Sequence, residues 1–267
     1  MMLYFSSLLK ENPKHNPAAD RLFAALVSCG VNHTLLSNTR DIWLRDFMPV
    51  QTKGGVYVSF RYEPSYLQAY LQLHTDFRRE VAPQIPHCPI TYSDINLDGG
   101  NVVFSPSKSR AILSDRVFSE NPTYTEAALL RKLEQLLEAQ VIIIPSLKSD
   151  MTGHADGMVR FLDESTVLGN RVSAKNGLEQ RIRSGLRRNG IEVIDFPYYA
   201  SPNGSAAGCY LNFLETDAHI FLPVFGGRMD GEAIRAAEQL FTKAVVPIDI
   251  HEIAQDGGGL HCISWET

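Results

Sequence analysis

Apolar residues recur at helical spacing in five stretches of the chain, over 17–28, 64–81, 122–139, 177–188 and 231–243, and each is read as an amphipathic helix. The run 127–137 is the clearest, because its leucines repeat at the interval that puts them on one face of a helix. Three of the five begin near a proline, which suits a first helical turn. A short β-rich run follows each helix, over 31–36, 90–92, 141–144, 191–196 and 245–250. Next comes a segment with glycine, a polar residue or both, leading into a second strand. In four cases a turn and a return strand complete the pattern, over 56–62, 111–113, 167–168 and 219–224. The fifth unit runs out at 263–267, and its missing return strand could be supplied from elsewhere, the N-terminus being one source. Strand–helix alternation alone would suit any α/β protein. Five repeats in one internal order point further, to a single α/β domain over 1–267 whose pseudo-fivefold ββαβ-type units close about a common axis.

Composition narrows the function classes. The chain has 267 residues, 44% hydrophobic and 21% charged, which allows a substantial core and suits an ordinary globular protein. A net charge of -5 argues against a nucleic-acid or anionic-membrane partner and fits a site that receives cations. No apolar run approaches the length of a membrane span, and the first ten residues lack the basic and apolar regions of a secretory signal. The cysteines, Cys29, Cys88, Cys209 and Cys262, show neither C-x-x-C spacing nor a dense framework, and are read as reduced thiols in a cytoplasmic protein. Homo-oligomerisation is left open.

Reactive side chains fall at matching places in the repeat. Asp46 and Asp98 are 52 residues apart, Asp98 and His154 are 56 apart, and His154 and Cys262 are 108 apart, about two further repeats. If the repeats close into a ring, these groups converge. His154 and Asp156 lie two apart on an expected strand that continues through Phe161, so both should face one side. Together the residues suit attack on a guanidinium carbon. That group is planar, delocalised and permanently charged, hence a poor electrophile in water. Carboxylates can grip its N–H forks and offset the cost of burying its charge. A thiolate can add to its face, and the bound cation would itself lower the thiol pKa. A histidine can deliver the proton that a departing nitrogen needs. Asp46 and Asp156 then serve as clamp acids, Cys262 as nucleophile, His154 as proton carrier and Asp98 as its orienting group.

Taken singly, each residue has a plainer reading. His154 and Asp156 read as a solvent-facing pair, Asp46 as a partner for Arg45 or Arg40, Asp98 as a turn acid, and Cys262 as a buried inert thiol. A metallohydrolase using His154, Asp156, His261 and Cys262 is a second class, although His261 and Cys262 on one strand would face opposite ways. A binding module without turnover is a third. The run Gly257–Gly259 lacks the lysine or serine of a phosphate loop and fits close backbone approach beside the nucleophile.

The motifs resemble those of the agmatine deiminase / bacterial peptidyl-arginine deiminase family, within the guanidine-modifying (pentein) superfamily. The resemblance rests on residues 41–49 around Trp43, Arg45 and Asp46, on Leu97-Asp98-Gly99-Gly100-Asn101, and on 150–156 with Gly153-His154-Ala155-Asp156. It continues through Tyr210-Leu211-Asn212-Phe213 and ends at 256–263 around Cys262. It implies a five-bladed α/β propeller and no metal or organic cofactor. Cys262 is implied as nucleophile and His154 as general acid, then general base. Asp46 and Asp156 are implied as guanidinium ligands, with Trp43 and Asn212 as further substrate contacts. The implied reaction is deimination of a small guanidino substrate, above all agmatine to N-carbamoylputrescine in polyamine biosynthesis. A peptidyl-arginine or other substituted guanidine is the alternative; free arginine would need a cationic grip for its carboxylate, for which Arg160 and Arg228 are candidates, Arg160 reading equally as a strand-face partner of an acid. The sequence departs from the family at three points. Asp98 stands where relatives often carry glutamate, Met48 replaces a usual glycine, and the chain is shorter than typical agmatine deiminases.

Overall fold

The return strands expected from the sequence each form the middle of a three-stranded sheet. The computed structural model describes residues 1–85, 89–173, 176–202 and 204–267, and Cys88 lies outside them. In chain order the strands are β1 (Leu3–Ser6), β2 (His33–Leu36), β3 (Val50–Gln51), β4 (Tyr57–Arg61), β5 (Ile90–Asn96), β6 (Val103–Phe104), β7 (Arg110–Ser114) and β8 (Gln140–Ile144). They continue with β9 (Val159–Phe161), β10 (Thr166–Asn170), β11 (Glu192–Phe196), β12 (Leu214–Glu215), β13 (His219–Val224), β14 (Ala244–Asp249) and β15 (Ser264–Glu266). The sheet orders are β15-β1-β2, β3-β4-β5, β6-β7-β8, β9-β10-β11 and β12-β13-β14. In all five the middle strand pairs antiparallel with the strand before it. In four, the parallel register to the third strand is resolved. The strand missing from the C-terminal repeat is β1, which sets Tyr4 opposite Trp265.

Among the described residues, four helices longer than a single turn lie between second and third strands: α1 (Asn16–Ser28), α2 (Glu126–Leu137), α3 (Gly177–Arg188) and α4 (Asp230–Leu240). Local chemistry sets their starts. Thr125 accepts the amide of Ala128 at the head of α2, and Asn176 accepts those of Leu178 and Glu179 at the head of α3. The helix expected over 122–139 therefore starts four residues late, after Pro122 rather than at it.

By proximity the chain forms two compact units, 46–194 and 1–45 with 195–267. In the first, the alternation along β7 explains the packing. Ala111 and Leu113 face a cluster with Val58, Ile95 and the α2 leucines 129, 133 and 137, whereas Ile112 faces Ile142, Val167 and the α3 residues Ile182 and Leu186. Each helix thus fills the space between consecutive sheets. In the second unit α1 packs on β14, and Leu22 and Leu26 are fully buried.

The helix expected over 64–81 is not formed. That segment is a chain of short turns, Ser65–Leu67 and Leu71–Leu73 in 3-10 form, Phe77–Val81 as one π turn, and Ala82–Gln84 again in 3-10 form. Asp76 caps a fresh start by accepting the amide of Arg79, and the apolar Tyr70 and Leu71 are exposed, so no continuous stripe exists to dock a helix.

Leu133 is fully buried between two sheets. Leu133→Ala is expected to cost about 2–5 kcal/mol, read as a lowered urea midpoint with unchanged slope.

Candidate active site

The acids, histidine, asparagine and cysteine expected at the site fall in the connections that lead from the third strand of one sheet to the first of the next, whereas Arg160 lies on β9 and Arg228 between β13 and α4. Asp46 lies between β2 and β3, Asp98 between β5 and β6, His154 between β8 and β9, Asn212 between β11 and β12, and Cys262 between β14 and β15. Repetition of the unit therefore repeats the position.

Within the unit 46–194, four of these residues form one buried group. His154 Nε2 lies 2.8 Å from Asp98 Oδ2, and His154 Nδ1 lies 3.5 Å from Asp46 Oδ1. Asp156 is buried beside them and contributes its negative charge. The strand expected to carry His154 and Asp156 begins only at Val159. His154 instead starts a 3-10 turn over Ala155–Gly157, so the two residues are brought together by a turn rather than by strand alternation. Asp46 likewise sits in a one-turn helix, Leu44–Phe47.

The motif Asp98-Gly99-Gly100-Asn101 builds the backbone of this group. A Cβ at Gly100 would come within 2.6 Å of Asp46 Oδ1 and 2.7 Å of His154 Nδ1, so a side chain there would occupy their space. The Gly100 amide also donates to Asp46 Oδ1 at 3.3 Å. Asn101 accepts the Ser114 amide at 2.8 Å and the Ala155 amide at 3.2 Å, which ties the His154 turn to the end of β7. Sequence reasoning gave no role to Gly100 or Asn101, although both lie in a motif it singled out. It also missed Tyr66, whose hydroxyl donates to Asp98 Oδ2 at 2.9 Å, because residue 66 fell within the expected helix.

Burial and charge act in opposite directions on His154. Burial alone would lower its pKa, but Asp46, the hydrogen bond to Asp98 and the charge of Asp156 outweigh it and raise the imidazole to about 10. Asp46 is pushed up to about 8, first by burial and then by the charges of Asp98 and Asp156, against the opposing pull of His154. The result is a protonated imidazole held among acids.

Cys262, Trp43 and Asn212 belong to the other unit. Asn212 Oδ1 accepts the Cys262 amide at 3.1 Å, and its carbonyl accepts the His261 amide at 3.1 Å. The Cys262 carbonyl in turn accepts the Arg45 amide at 3.0 Å. A Cβ at Gly258 would approach the Trp43 ring to 2.2 Å, so this glycine lets the backbone lie directly on the indole. Asp256, which opens the glycine run, is held by His15 at 2.7 Å and by Lys14. Cys262 is partly buried and, like Cys29 and Cys209, forms no disulfide. His261 and Cys262 lie in the turn before β15, so the expectation that both sit on a strand and face opposite ways does not hold. Among the described residues no group of three or more His, Cys, Asp and Glu side chains is arranged to hold a metal ion, and no helix is long and apolar enough to cross a membrane.

A family model described as Porphyromonas-type peptidyl-arginine deiminase matches residues 7–267. The chain belongs to that family. Among solved structures it resembles the agmatine deiminase of C. jejuni, with a TM-score of 0.78 and 17% identity over 99% of this chain and 92% of that one. The agmatine deiminase of Enterococcus faecalis gives 0.76 and 16%, with 99% and 92% covered. A DDAH from Pseudomonas aeruginosa in complex with citrulline gives 0.61 and 14%, covering 98% and 97%. These likenesses identify the five three-stranded sheets as the pentein fold. In sequence, the agmatine deiminase of Stutzerimonas stutzeri (strain A1501) is 37% identical over 76 residues, which is 28% of this chain and 21% of that protein. That of Pseudomonas fluorescens is 32% identical over 76 residues, with the same shares. The matched stretch thus spans about a fifth of these relatives' length. The short side chain of Asp98 reaches His154, its carboxylate meeting the ring at 2.8 Å.

Two expectations follow from the buried group. Gly100→Ala should push Asp46 and His154 apart, destabilising the fold by about 1–3 kcal/mol, measured by urea unfolding. The second concerns pH. Folding raises the pKa of His154 from 6.5 to about 10, so its contribution is complete below pH 6.5 and is lost as pH rises toward 10. Asp46, raised from 3.8 to about 8, also binds its proton more tightly when folded, and its contribution is lost between those values. Both signs agree: the urea midpoint should fall between pH 6.5 and 9, and a flat or rising midpoint would contradict the assignment.

Proposed function

We propose that this protein hydrolyses a guanidino compound to its ureido product and ammonia, with agmatine as substrate and N-carbamoylputrescine as product. The observation that supports it most is the buried imidazole ringed by Asp46, Asp98 and Asp156, in a member of a deiminase family. In this reading all 267 residues act as one catalytic domain.

Asp46 and Asp156 grip the N–H forks of the guanidinium, as carboxylates do, and Trp43 and Asn212 contribute to the substrate surface. Asn212 acts chiefly by holding the Cys262 amide. The Cys262 thiolate adds to the central carbon. His154 is protonated, as its surroundings favour, and gives its proton to the departing nitrogen, so that the C–N bond breaks and ammonia leaves. Asp98 occupies Nε2, which makes Nδ1 the nitrogen that exchanges the proton. An S-alkylthiouronium remains on Cys262. Water attacks its carbon while neutral His154 takes one water proton, and cleavage of the C–S bond restores the thiolate and releases the ureido product, the second proton passing to the departed ammonia as ammonium. Carboxylates that raise the imidazole in the empty site are partly neutralised once a cationic substrate sits among them, which lowers His154 toward a useful range. The reaction needs a reduced thiol, which favours a cytoplasmic protein.

Agmatine carries no carboxylate and needs none of the cationic grip that free arginine would require. A peptidyl arginine is the second reading, favoured by the description of the matching family. Ammonia release from agmatine, arginine and an arginyl peptide, assayed side by side, separates the two. Cys262→Ala is expected to reduce turnover by about three orders of magnitude or more, and His154→Gln by about 10²–10⁴-fold. Undiminished ammonia release by the Cys262→Ala protein would rule the scheme out.

A further inference from the structure

Tyr66 reaches the carboxylate–imidazole group from a segment that has no regular helix. Its hydroxyl donates to Asp98 Oδ2 at 2.9 Å, the same oxygen that meets His154 Nε2 at 2.8 Å. Its ring stands edge-on to the imidazole with centroids 6.2 Å apart. Burial, followed by the charges of Asp98 and Asp46, pushes the phenol well above its ordinary pKa, so the hydroxyl stays a donor.

The segment is held in place by a polar clamp. Glu120 accepts the Ser65 amide at 3.0 Å and the Ser65 hydroxyl at 2.6 Å. Arg116 meets Glu120 at 3.0 Å, donates to Ser65 Oγ at 3.0 Å and to the Met151 carbonyl at 2.9 Å, and lies over the Tyr66 ring, 5.2 Å from its centroid. Asn96, at the end of β5 and two residues before Asp98, exchanges hydrogen bonds with the Glu63 backbone at 2.8 and 2.9 Å and donates to Glu120 at 3.2 Å. Ordering an irregular segment costs conformational entropy, which these bonds offset. The clamp therefore fixes Tyr66 relative to Asp98.

We propose that Tyr66 is a positioning residue for the deimination, acting on His154 through Asp98, with Arg116 and Glu120 as its clamp. The catalytic part of this statement rests on the function proposed above. The groups facing His154 are Asp46 from the Leu44–Phe47 turn, Asp98 from the end of β5, Asp156 from its own turn and Tyr66 from the Ser65–Leu67 turn. One carboxylate oxygen shared by two donors holds each less strongly than it would hold one alone. Without the phenol, Asp98 grips the imidazolium harder, and His154 gives up its proton less readily as the reaction requires it to cycle.

The test compares wild type with Tyr66→Phe, which keeps the ring and removes only the hydroxyl. Following the His154 ring nitrogens by ¹⁵N NMR across pH, with His154→Gln to assign the signal, should show the titration midpoint rising by about 0.5–1 pH unit. With an active substrate, kcat should fall about tenfold while KM changes less than about twofold, and the limb of the pH profile that reports His154 should move with the midpoint. A midpoint unchanged in folded Tyr66→Phe protein would overturn the inference. If that variant does not fold, Arg116→Gln decides: it leaves the phenol but loosens the clamp, and must move the midpoint measurably. A wild-type protein that releases no ammonia from any of the three substrates overturns the proposed reaction, while the midpoint comparison still judges the link from Tyr66 to His154.

Discussion

A protonated imidazole sealed from water survives only where nearby negative charge outweighs the loss of hydration. Here Asp46, Asp98 and Asp156 supply that charge, and burial, which would otherwise discharge His154, is overcome. The balance constrains the surrounding chain. No short segment could bring three carboxylates to one ring, so the acids arrive on three separate connections. Their mutual repulsion is relieved by the cation at their centre and by donors from the Gly100 amide and the Tyr66 hydroxyl. A guanidinium entering such a place would find the acids already gathered and already dry, conditions in which charge–charge contacts are strong.

The repeat is what makes this gathering economical. A strand pair, a connecting segment and a third strand recur five times, and each transition to the next sheet carries one of the residues singled out from the sequence. The helices between consecutive sheets lock the pieces of the unit 46–194 through leucine and isoleucine side chains, leaving the polar transitions to be shaped by turns. Backbone requirements at those turns explain residues that carry no reactive group. Asn101 ties two connections together through amide hydrogen bonds, and Gly100 yields its volume to two side chains.

Local pattern carried the repeat. The helices at 177–188 and 16–28, the return strand at 219–224 and the phase of the reactive residues follow from spacing and capping residues that act over a few positions. Non-local choices did not show. Residues 64–81 have apolar content that suits a helix, yet Glu120, Arg116 and Asn96, distant in sequence, hold the segment in irregular turns so that Tyr66 meets Asp98. His154 and Asp156 were expected to share a face through strand alternation, but a 3-10 turn brings them together instead, because Asn101 takes the Ala155 amide out of reach of a ladder.

The sequence by itself thus determined which residue types stand at the transitions and the order of the units, since both depend on residue type and short-range spacing. Tertiary structure decided which atoms meet: that Nε2 of His154 belongs to Asp98, that Asn212 holds the Cys262 amide, and that a tyrosine from an irregular segment joins the group. Those outcomes depend on hydrogen bonds and packing between residues tens of positions apart, whose geometry no local pattern encodes.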